Sequence, residues 1–271
     1  MSRVSAKSPA AASWFPGHMA AGLRALYAAA DMIDVFVEVR DARVPHSTGV
    51  AAGHAKISAK PSYVLLNRAD LADPHETQRW VERLATEGTT AFAGTAKSPR
   101  SLAALRSAIL CGIARRSRVR VAVVGAPNTG KSSVLNALAR EKRAFVQDRP
   151  GATRRIEWRR LGSHADILDT PGLLPPRIVS AQAAWQLALC GVLPEQAYEP
   201  EDVVEGFRSW AAACSPRLAP TLDLDAFAAL RGKLKRGGEL DRAVAARLLI
   251  AAFRSGALGR VTFELSTMKK T

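Results

Sequence analysis

The sequence predicts an α/β domain with a parallel sheet, followed by a small all-α domain. Up to the Pro175-Pro176 pair, apolar runs typical of buried strands alternate with segments of helical spacing, the pattern of a sheet with helices on both faces. Beyond that pair only helical spacing is found, broken by prolines and glycines. The 271 residues are roughly enough for one full-sized domain and one smaller domain.

Hydrophobic spacing and the residues that interrupt it predict each element in turn. In the first domain we expect helices over residues 18–30, 74–86, 100–115 and 131–139. We expect strands over residues 33–39, 63–66 and 119–124, a short strand that ends near Gly94, and a last strand that ends at Asp169. A basic loop should precede the last strand. In the second domain we expect helices over 178–190, 200–214, 224–234 and 241–255. Residues 1–13 are expected to form a disordered tail, so the domains span 14–176 and 177–271.

The charge of the chain points to a polyanionic partner. Lys and Arg total 39 against 24 Asp and Glu, which gives a net charge of +15 and a pI near 10.5. Three basic clusters contribute to this excess and favour a phosphate-rich surface such as RNA. They are Arg115, Arg116, Arg118 and Arg120; Arg154, Arg155, Arg159 and Arg160; and Lys233, Lys235 and Arg236.

Cysteine usage and hydropathy exclude several classes of protein. Three scattered cysteines without a C-x-x-C pair fit neither a disulfide framework nor a zinc site, so we expect a reducing, cytoplasmic setting. The longest uncharged run, residues 178–194, is at or below the length that spans a bilayer and contains polar residues and a proline. No transmembrane helix is therefore expected.

Residues 125–132, with the sequence GAPNTGKS, form a Walker A loop between an expected strand and an expected helix. In such a loop, backbone N–H groups face the β-phosphate, Lys131 bridges the β- and γ-phosphate oxygens, and the Ser132 hydroxyl binds Mg²⁺. The nucleotide-binding residues predicted here are Asn128, Thr129, Gly130, Lys131, Ser132 and Ser133.

Two later segments complete the expected phosphate and metal site. At the end of a strand, Asp169 is placed to hold Mg²⁺ through water, and the N–H of Gly172 to contact a γ-phosphate. In the intervening stretch, the hydroxyl of Thr153 in a Pro-Gly-Ala-Thr string is placed to complete the Mg²⁺ shell. Each string alone also fits a plain turn.

Two earlier segments predict recognition of a guanine base. The carboxylate of Asp70 can accept from the two donors on the guanine edge, and Asn67 would tie this loop to the nucleotide and to the phosphate loop. The side chain of Arg68 would cover one face of the ring. The segment Thr95-Ala96-Lys97 would add a backbone N–H to the guanine O6 and, through Lys97, cover the other face. Because these segments follow strands, we expect them to meet the Walker loop at one sheet edge.

These motifs occur in an unusual order, since the base-reading segments precede the phosphate loop. Strand connectivity can be permuted without moving the site. Preceded by residues 14–19, WFPGHM, the motifs resemble those of the circularly permuted GTPases of the YlqF type, the ribosome biogenesis GTPase A family. The likeness also covers residues 41–45 and 233–264. Arg68, Thr95 and Ala152 replace the lysine, serine and threonine usual in that family.

The resemblance implies a circularly permuted Ras-like P-loop GTPase domain followed by an all-α domain that contacts rRNA. It further implies GTP hydrolysis stimulated by the large ribosomal subunit, a role late in the maturation of that subunit, and His18 as the residue that positions water. Asn128 resembles the asparagine of potassium-activated GTPases, which implies K⁺ beside Mg²⁺. Leu173 stands where Ras-like enzymes have glutamine, so unstimulated turnover should be slow.

Other functions remain open from the sequence. A P-loop ATPase or small-molecule kinase would share Lys131 and Ser132 but would have no use for Asn67 and Asp70. The chain would also fit an RNA-binding assembly factor with vestigial hydrolysis, or a GTPase with a non-ribosomal partner. His18 as a helix-start residue without a chemical role is a further alternative. We expect a monomer with no membrane partner.

Overall fold

The computed structural model describes residue 24 and residues 26–49, 60–111, 119–139, 157–161, 165–169, 178, 180–235 and 237–267. The chain divides into two compact units, one built from residues 15–175 together with those from Arg260 onward, the other containing residues 176–259. The helical unit is therefore inserted within the α/β unit. In this division residues 260–267 belong to the α/β unit, whereas the sequence places them in the predicted helical domain of residues 177–271.

Six strands among the described residues form one sheet. They are β1 (Val35–Asp41), β2 (Ser62–Asn67), β3 (Thr90–Ala93), β4 (Val119–Val124), β5 (Glu157–Leu161) and β6 (Ala165–Asp169). Their order across the sheet is β3-β2-β1-β4-β6-β5. All neighbouring pairs are parallel except β5 and β6, which are antiparallel. The parallel sheet predicted from the alternating pattern is confirmed for five strands.

Strand β5 is the element that the sequence analysis missed. We expected a basic loop before the strand ending at Asp169, but residues 157–161 pair antiparallel with β6 along the sheet edge. Their sequence, EWRRL, lacks the continuous apolar run of a strand buried on both faces. An edge strand pairs on one side only, so a charged sequence is compatible with it.

Helices cover both faces of the sheet. In this unit they are α1 (Pro74–Thr86), α2 (Ala103–Cys111) and α3 (Lys131–Ala139), with residues 26–29 also helical. Val35, Val37 and Val39 pack on one face with residues of α2 and α3. Phe36, from the same strand, packs on the other face with Leu26. This alternation places apolar residues of β1 in two cores, as expected for a strand inside a parallel sheet.

Most predicted limits agree with the structure. Helices α1 and α3 and strand β4 have the expected bounds, because each is bounded by a clear signal in the sequence. The N-cap of α1 is Asp73, whose side chain accepts from the Glu76 N–H, and proline follows it at the first helical position. Helix α2 begins three residues later than predicted, since residues 99–102 form a 3₁₀ turn, and its predicted end at residues 112–115 lies outside the described residues.

The helical unit contains α4 (Ala181–Leu189), α5 (Pro200–Cys214), α6 (Leu224–Leu230) and α7 (Arg242–Ser255) among the described residues. Its centre is aromatic, with the rings of Phe207 and Phe253 5.2 Å apart in an edge-to-face arrangement. Helix α6 ends four residues before its predicted limit, near Gly232, which has a φ of 58°. The following residues form a short hairpin through a bridge between Leu234 and Leu240. No helix in the described part of the chain has the length and apolar character needed to cross a membrane.

Candidate nucleotide-binding site

The segments predicted to bind nucleotide meet at one edge of the sheet. Strands β1 to β4 run parallel, and their carboxyl ends lead into residues 42–49, 68–72, 94–98 and 125–130. Ligands of open α/β sheets bind at this edge. The structure therefore brings the Asn67, Thr95 and Gly125 segments together despite their permuted order in the chain.

The Walker loop needs its glycines for conformation and for space. Gly125 has a φ of 150°, and a Cβ atom placed on it would lie 2.3 Å from the carbonyl oxygen of Val39. Gly130 has a φ of 90°, and its Cβ would lie 2.4 Å from Asn67 Nδ2. Asn128, with a φ of 54°, also adopts the left-handed conformation, which asparagine tolerates better than most residues. The loop is thus packed against the ends of β1 and β2.

Lys131 begins α3 and keeps its charge inside the loop. Its side chain is buried, and Nζ donates to the carbonyl oxygens of Ala126 at 2.8 Å and Gly125 at 3.2 Å. Thr129 adds a hydroxyl bond to the Ala126 carbonyl at 3.0 Å. The ammonium group is therefore held at the loop that is expected to bind phosphates. Ser132 and Ser133 follow in the first turn of α3, both partly exposed.

Asn67 joins the three binding segments. Its Nδ2 donates to the carbonyl oxygen of Thr129 in the Walker loop at 2.7 Å, and its Oδ1 accepts from the N–H of Ala96 at 3.0 Å. The side chain is buried, so both bonds are shielded from water. The expected tie between this loop and the phosphate loop is present. The Ala96 N–H, which belongs to the segment predicted to offer a backbone N–H to guanine O6, donates to Asn67.

Arg68 also reaches the Walker loop. Its Nη2 donates to the carbonyl oxygen of Asn128 at 2.7 Å, and its Nη1 lies 3.2 Å from Asp41 Oδ2. Its φ of 60° is left-handed, a conformation rare for a long side chain, and the two side-chain bonds help to hold it there. The guanidinium plane is thereby fixed at the edge where a base would lie.

One carboxylate oxygen of Asp70 is hydrogen-bonded, and the other has no partner among the described residues. Oδ2 lies 3.3 Å from Lys97 Nζ, an exposed pair. Oδ1 is buried and has no hydrogen-bond partner among the described residues. A buried acceptor without a partner costs about 1–3 kcal/mol, which a ligand that donates to it would recover. This is the property required of a group that recognises the donors of guanine.

The Thr95 segment is held in place by hydrogen bonds to Ser101. The Thr95 N–H donates to Ser101 Oγ at 2.9 Å, and the same hydroxyl donates to the Thr95 carbonyl at 3.0 Å. Thr95 Oγ1 accepts weakly from the Lys97 N–H at 3.3 Å. The segment is therefore bonded to the 3₁₀ turn before α2, and the exposed Lys97 lies beside Asp70.

The sequence analysis gave no role to a buried ion pair beneath Arg68. Asp41 ends β1 and accepts from Arg43 Nε at 2.9 Å and Nη2 at 2.7 Å, with both side chains fully buried. Burial alone raises the pKa of Asp41, but the guanidinium groups of Arg43 and Arg68 outweigh it and hold this pKa below its ordinary value. An Asp-x-Arg pattern directly after an apolar strand was the available signal.

Several predicted residues cannot be placed. His18, Thr153 and Gly172 lie outside the described residues, as do Arg236 and most of the first two basic clusters. Of Asp169 the structure describes only the backbone, which ends β6 and pairs with Val123 of β4, two residues before the Walker loop begins. Lys235 is exposed on the hairpin after α6.

The fold and this site define a P-loop GTPase in which the Asn67 and Thr95 segments precede the Walker loop. The family model described as a 50S ribosome-binding GTPase matches residues 120–209. Ribosome biogenesis GTPase A of Thermotoga maritima is 34% identical, over 93% of this chain and 94% of that protein. The Priestia megaterium protein of that name is 31% identical over 93% and 96%.

A solved structure is similar to this chain in both fold and sequence. GNP-bound YlqF from T. maritima is 32% identical and has a TM-score of 0.72, covering 91% of this chain and 99% of that chain. The chain belongs to the ribosome biogenesis GTPase A family. The predicted fold class and the predicted GTPase activity are thereby confirmed, and an ATPase or kinase is not favoured.

Proposed function

We propose that this chain couples GTP binding and hydrolysis to a late step in the maturation of the large ribosomal subunit, binding the precursor particle in its GTP state. Support for the ribosomal role comes from the names of the similar proteins and from the family model, described as a 50S ribosome-binding GTPase. Support for the guanine assignment comes from one observation above all, the buried and uncommitted Oδ1 of Asp70.

In this proposal, the base is recognised by groups that the structure has already oriented. Asp70 accepts from the two donors of the guanine edge, and Asn67 holds the base loop against the Walker loop. Arg68 and Lys97 cover the two faces of the ring. Adenine offers no matching pair of donors, so Asp70 Oδ1 would remain without a donor beside it, at a cost of about 1–3 kcal/mol.

The phosphates and the metal are assigned to residues around the Walker loop. Lys131 supplies a positive charge at the β- and γ-phosphates, and backbone N–H groups of residues 128–133 supply donors. The hydroxyls of Ser132 and Thr153 and the Asp169 carboxylate are the oxygen ligands that Mg²⁺ prefers, and Ser132 and the end of β6 both adjoin the loop. When bound, Mg²⁺ neutralises charge on the β- and γ-phosphate oxygens.

For hydrolysis we assign the positioning of water to His18, the residue to which the family resemblance points, and Leu173 stands where Ras-like enzymes have glutamine. Asn128 is assigned to K⁺. We expect His18→Ala to keep GTP affinity but to lose the stimulation of turnover by ribosomal particles. Full stimulated turnover in that variant would remove His18 from the mechanism. Equal rates of GTP hydrolysis in Na⁺ and in K⁺ would show that hydrolysis does not require K⁺.

The RNA partner is assigned to the helical unit. Lys233, which is partly buried, and Lys235, which is exposed, lie on the hairpin after α6, and Arg217 and Arg231 of the same unit are exposed. With a net charge of +15, such a surface favours binding to rRNA through phosphate contacts. We propose that the protein acts in the cytoplasm as a monomer.

The test combines nucleotide state with particle binding. The protein is sedimented with large-subunit precursors in the presence of a non-hydrolysable GTP analogue, GDP or neither, and we expect most binding with the analogue. Asp70→Asn, which presents an amide donor, should fail with the guanine analogue and recover with the corresponding xanthine nucleotide. Equal sedimentation in all states contradicts the GTP-dependent role, and an unchanged guanine preference in Asp70→Asn contradicts the role of Asp70.

A further inference from the structure

The segment after the last helix is buried although it has no regular secondary structure. Helix α7 ends at Ser255, and Val261, Thr262, Phe263 and Glu264 are 7%, 6%, 1% and 6% exposed. We call residues 261–264 the C-terminal strap. The strap packs within the α/β unit. Four consecutive buried residues in a non-repetitive segment require specific partners for their backbone groups.

Those partners include the residues directly after Asp70. The Val261 N–H donates to the carbonyl oxygen of Leu71 at 3.1 Å. Thr262 Oγ1 accepts from the Asp73 N–H at 3.1 Å, at the N-cap of α1. The strap thus fixes the exit of the base-reading loop at positions one and three residues beyond the predicted guanine-reading carboxylate.

The same strap fixes the loop that follows β1. The Phe263 N–H donates to the carbonyl oxygen of Arg43 at 2.9 Å. The Glu264 carboxylate accepts from the N–H groups of His46 and Ser47 and from the Ser47 hydroxyl. Trp80 of α1 donates from Nε1 to the Glu264 carbonyl at 2.7 Å. Burial raises the pKa of Glu264 although these donors oppose it.

Both ends of the base-reading loop are therefore held by elements that the strap contacts. At the entrance, Asp41 and Arg43 form the buried pair that holds Arg68, and the strap bonds the Arg43 carbonyl. At the exit, the strap bonds Leu71. A buried carboxylate is weak support for stability alone, because desolvation offsets most of its attraction. Its several donors instead fix one register of the strap.

We propose that the C-terminal strap is a positioning element for guanine recognition, acting through Leu71 and Arg43 on Asp70 and Arg68. This inference rests on the base-reading role proposed for Asp70. The strap touches no nucleotide in this account. It holds the backbone that carries the two side chains, so its loss should weaken the reading of the guanine edge more than the binding of phosphates.

The experiment compares GDP with IDP, which lacks the 2-amino group and so one of the two donors for Asp70. Two full-length variants weaken the strap: Glu264→Gln, which replaces one carboxylate oxygen by a donor, and Thr262→Val, which keeps the shape and removes the acceptor of Asp73. Leu265→Ala is the control, since Leu265 follows the strap and is 46% exposed. We expect GDP affinity to fall about tenfold, or about 1.4 kcal/mol, and IDP affinity to change about threefold or less.

The outcomes separate this inference from the assignment of Asp70. If wild type prefers GDP over IDP, and a folded strap variant retains that preference undiminished, the strap has no positioning role. Parallel losses for both nucleotides also overturn it, because they show a general structural effect. If wild type itself does not distinguish GDP from IDP, the base-reading role of Asp70 fails instead. Thr262→Val decides the matter if Glu264→Gln does not fold.

Discussion

Replacing Asp41 by Asn tests whether the buried pair beneath Arg68 stabilises the α/β unit. The substitution keeps the shape of the side chain but removes its charge and turns one acceptor into a donor. Arg43, fully buried, would then lose the two short bonds of a charged partner, and Arg68 would lose one. Removing one member of a buried ion pair typically costs about 3–5 kcal/mol, because the remaining charge is left uncompensated. We expect a loss in this range.

The assay is urea unfolding followed by circular dichroism, repeated across pH. Because the pKa of Asp41 lies below its ordinary value in the folded state, its stabilising effect is fully present above the unfolded pKa of about 3.9. That effect is lost as the pH falls through the lower folded-state pKa. The difference between wild type and Asp41→Asn should therefore be constant from about pH 8 to pH 5 and should shrink below about pH 4.

A matched control lies on the same strand. Glu38 pairs with Arg40 at 2.7 Å, but both side chains are 16% exposed rather than fully buried. Glu38→Gln should therefore cost less than Asp41→Asn, since both partners keep some contact with water and neither charge is left fully buried. If the two variants lose equal stability, or if Asp41→Asn loses under about 1 kcal/mol, the pair does not stabilise the unit in the way argued here.

Two glycines give further predictions. Gly130→Ala should lower GTP affinity about tenfold or more in a fluorescent-nucleotide titration, since its Cβ would lie 2.4 Å from Asn67 Nδ2 on a left-handed backbone. Gly88→Ala is the control, because Gly88 has a φ of 81° but its Cβ would have no atom within 4 Å. That variant has the backbone strain without the steric overlap, and it should keep the affinity for GTP. Gly206→Ala should lower the melting temperature, because its Cβ would lie 2.7 Å from the Trp185 ring and such overlap costs about 1–3 kcal/mol, more than the helix propensity gained. A melting temperature that rises would contradict that packing.

The site was predictable where its chemistry is local in the sequence. The Walker loop needs a strand, glycines, a lysine and a helix within about twenty residues, and the structure has that order at 119–139. The bond from Asn67 to the Walker loop was also predicted, because both segments follow parallel strands. The bond from the Ala96 N–H to Asn67 Oδ1 was not predicted, because it depends on how two loops from different strands approach each other.

The misses have a common cause, which is dependence on distant residues. Strand β5 is defined by its pairing with β6, and its own sequence gives no apolar alternation. The C-terminal strap follows the last helix and falls within the predicted helical domain, yet Glu264 bonds residues 217 and 218 positions earlier. Periodicity reports which face of an element is buried and says nothing about which non-repetitive segment will cover it.

The permuted order gives the strap its place in the molecule. In this chain the helical unit follows β6, whose end at Asp169 pairs beside the Walker loop, and it is followed by the strap, which bonds Leu71 beside the base-reading loop. The unit proposed to bind rRNA is therefore joined covalently next to the phosphate side at one end and next to the base side at the other. A GTPase with unpermuted order would end its chain after the Thr95 segment. Permutation thus places the helical unit between β6 and the strap along the chain, and the strap returns the chain to the α/β unit beside Leu71.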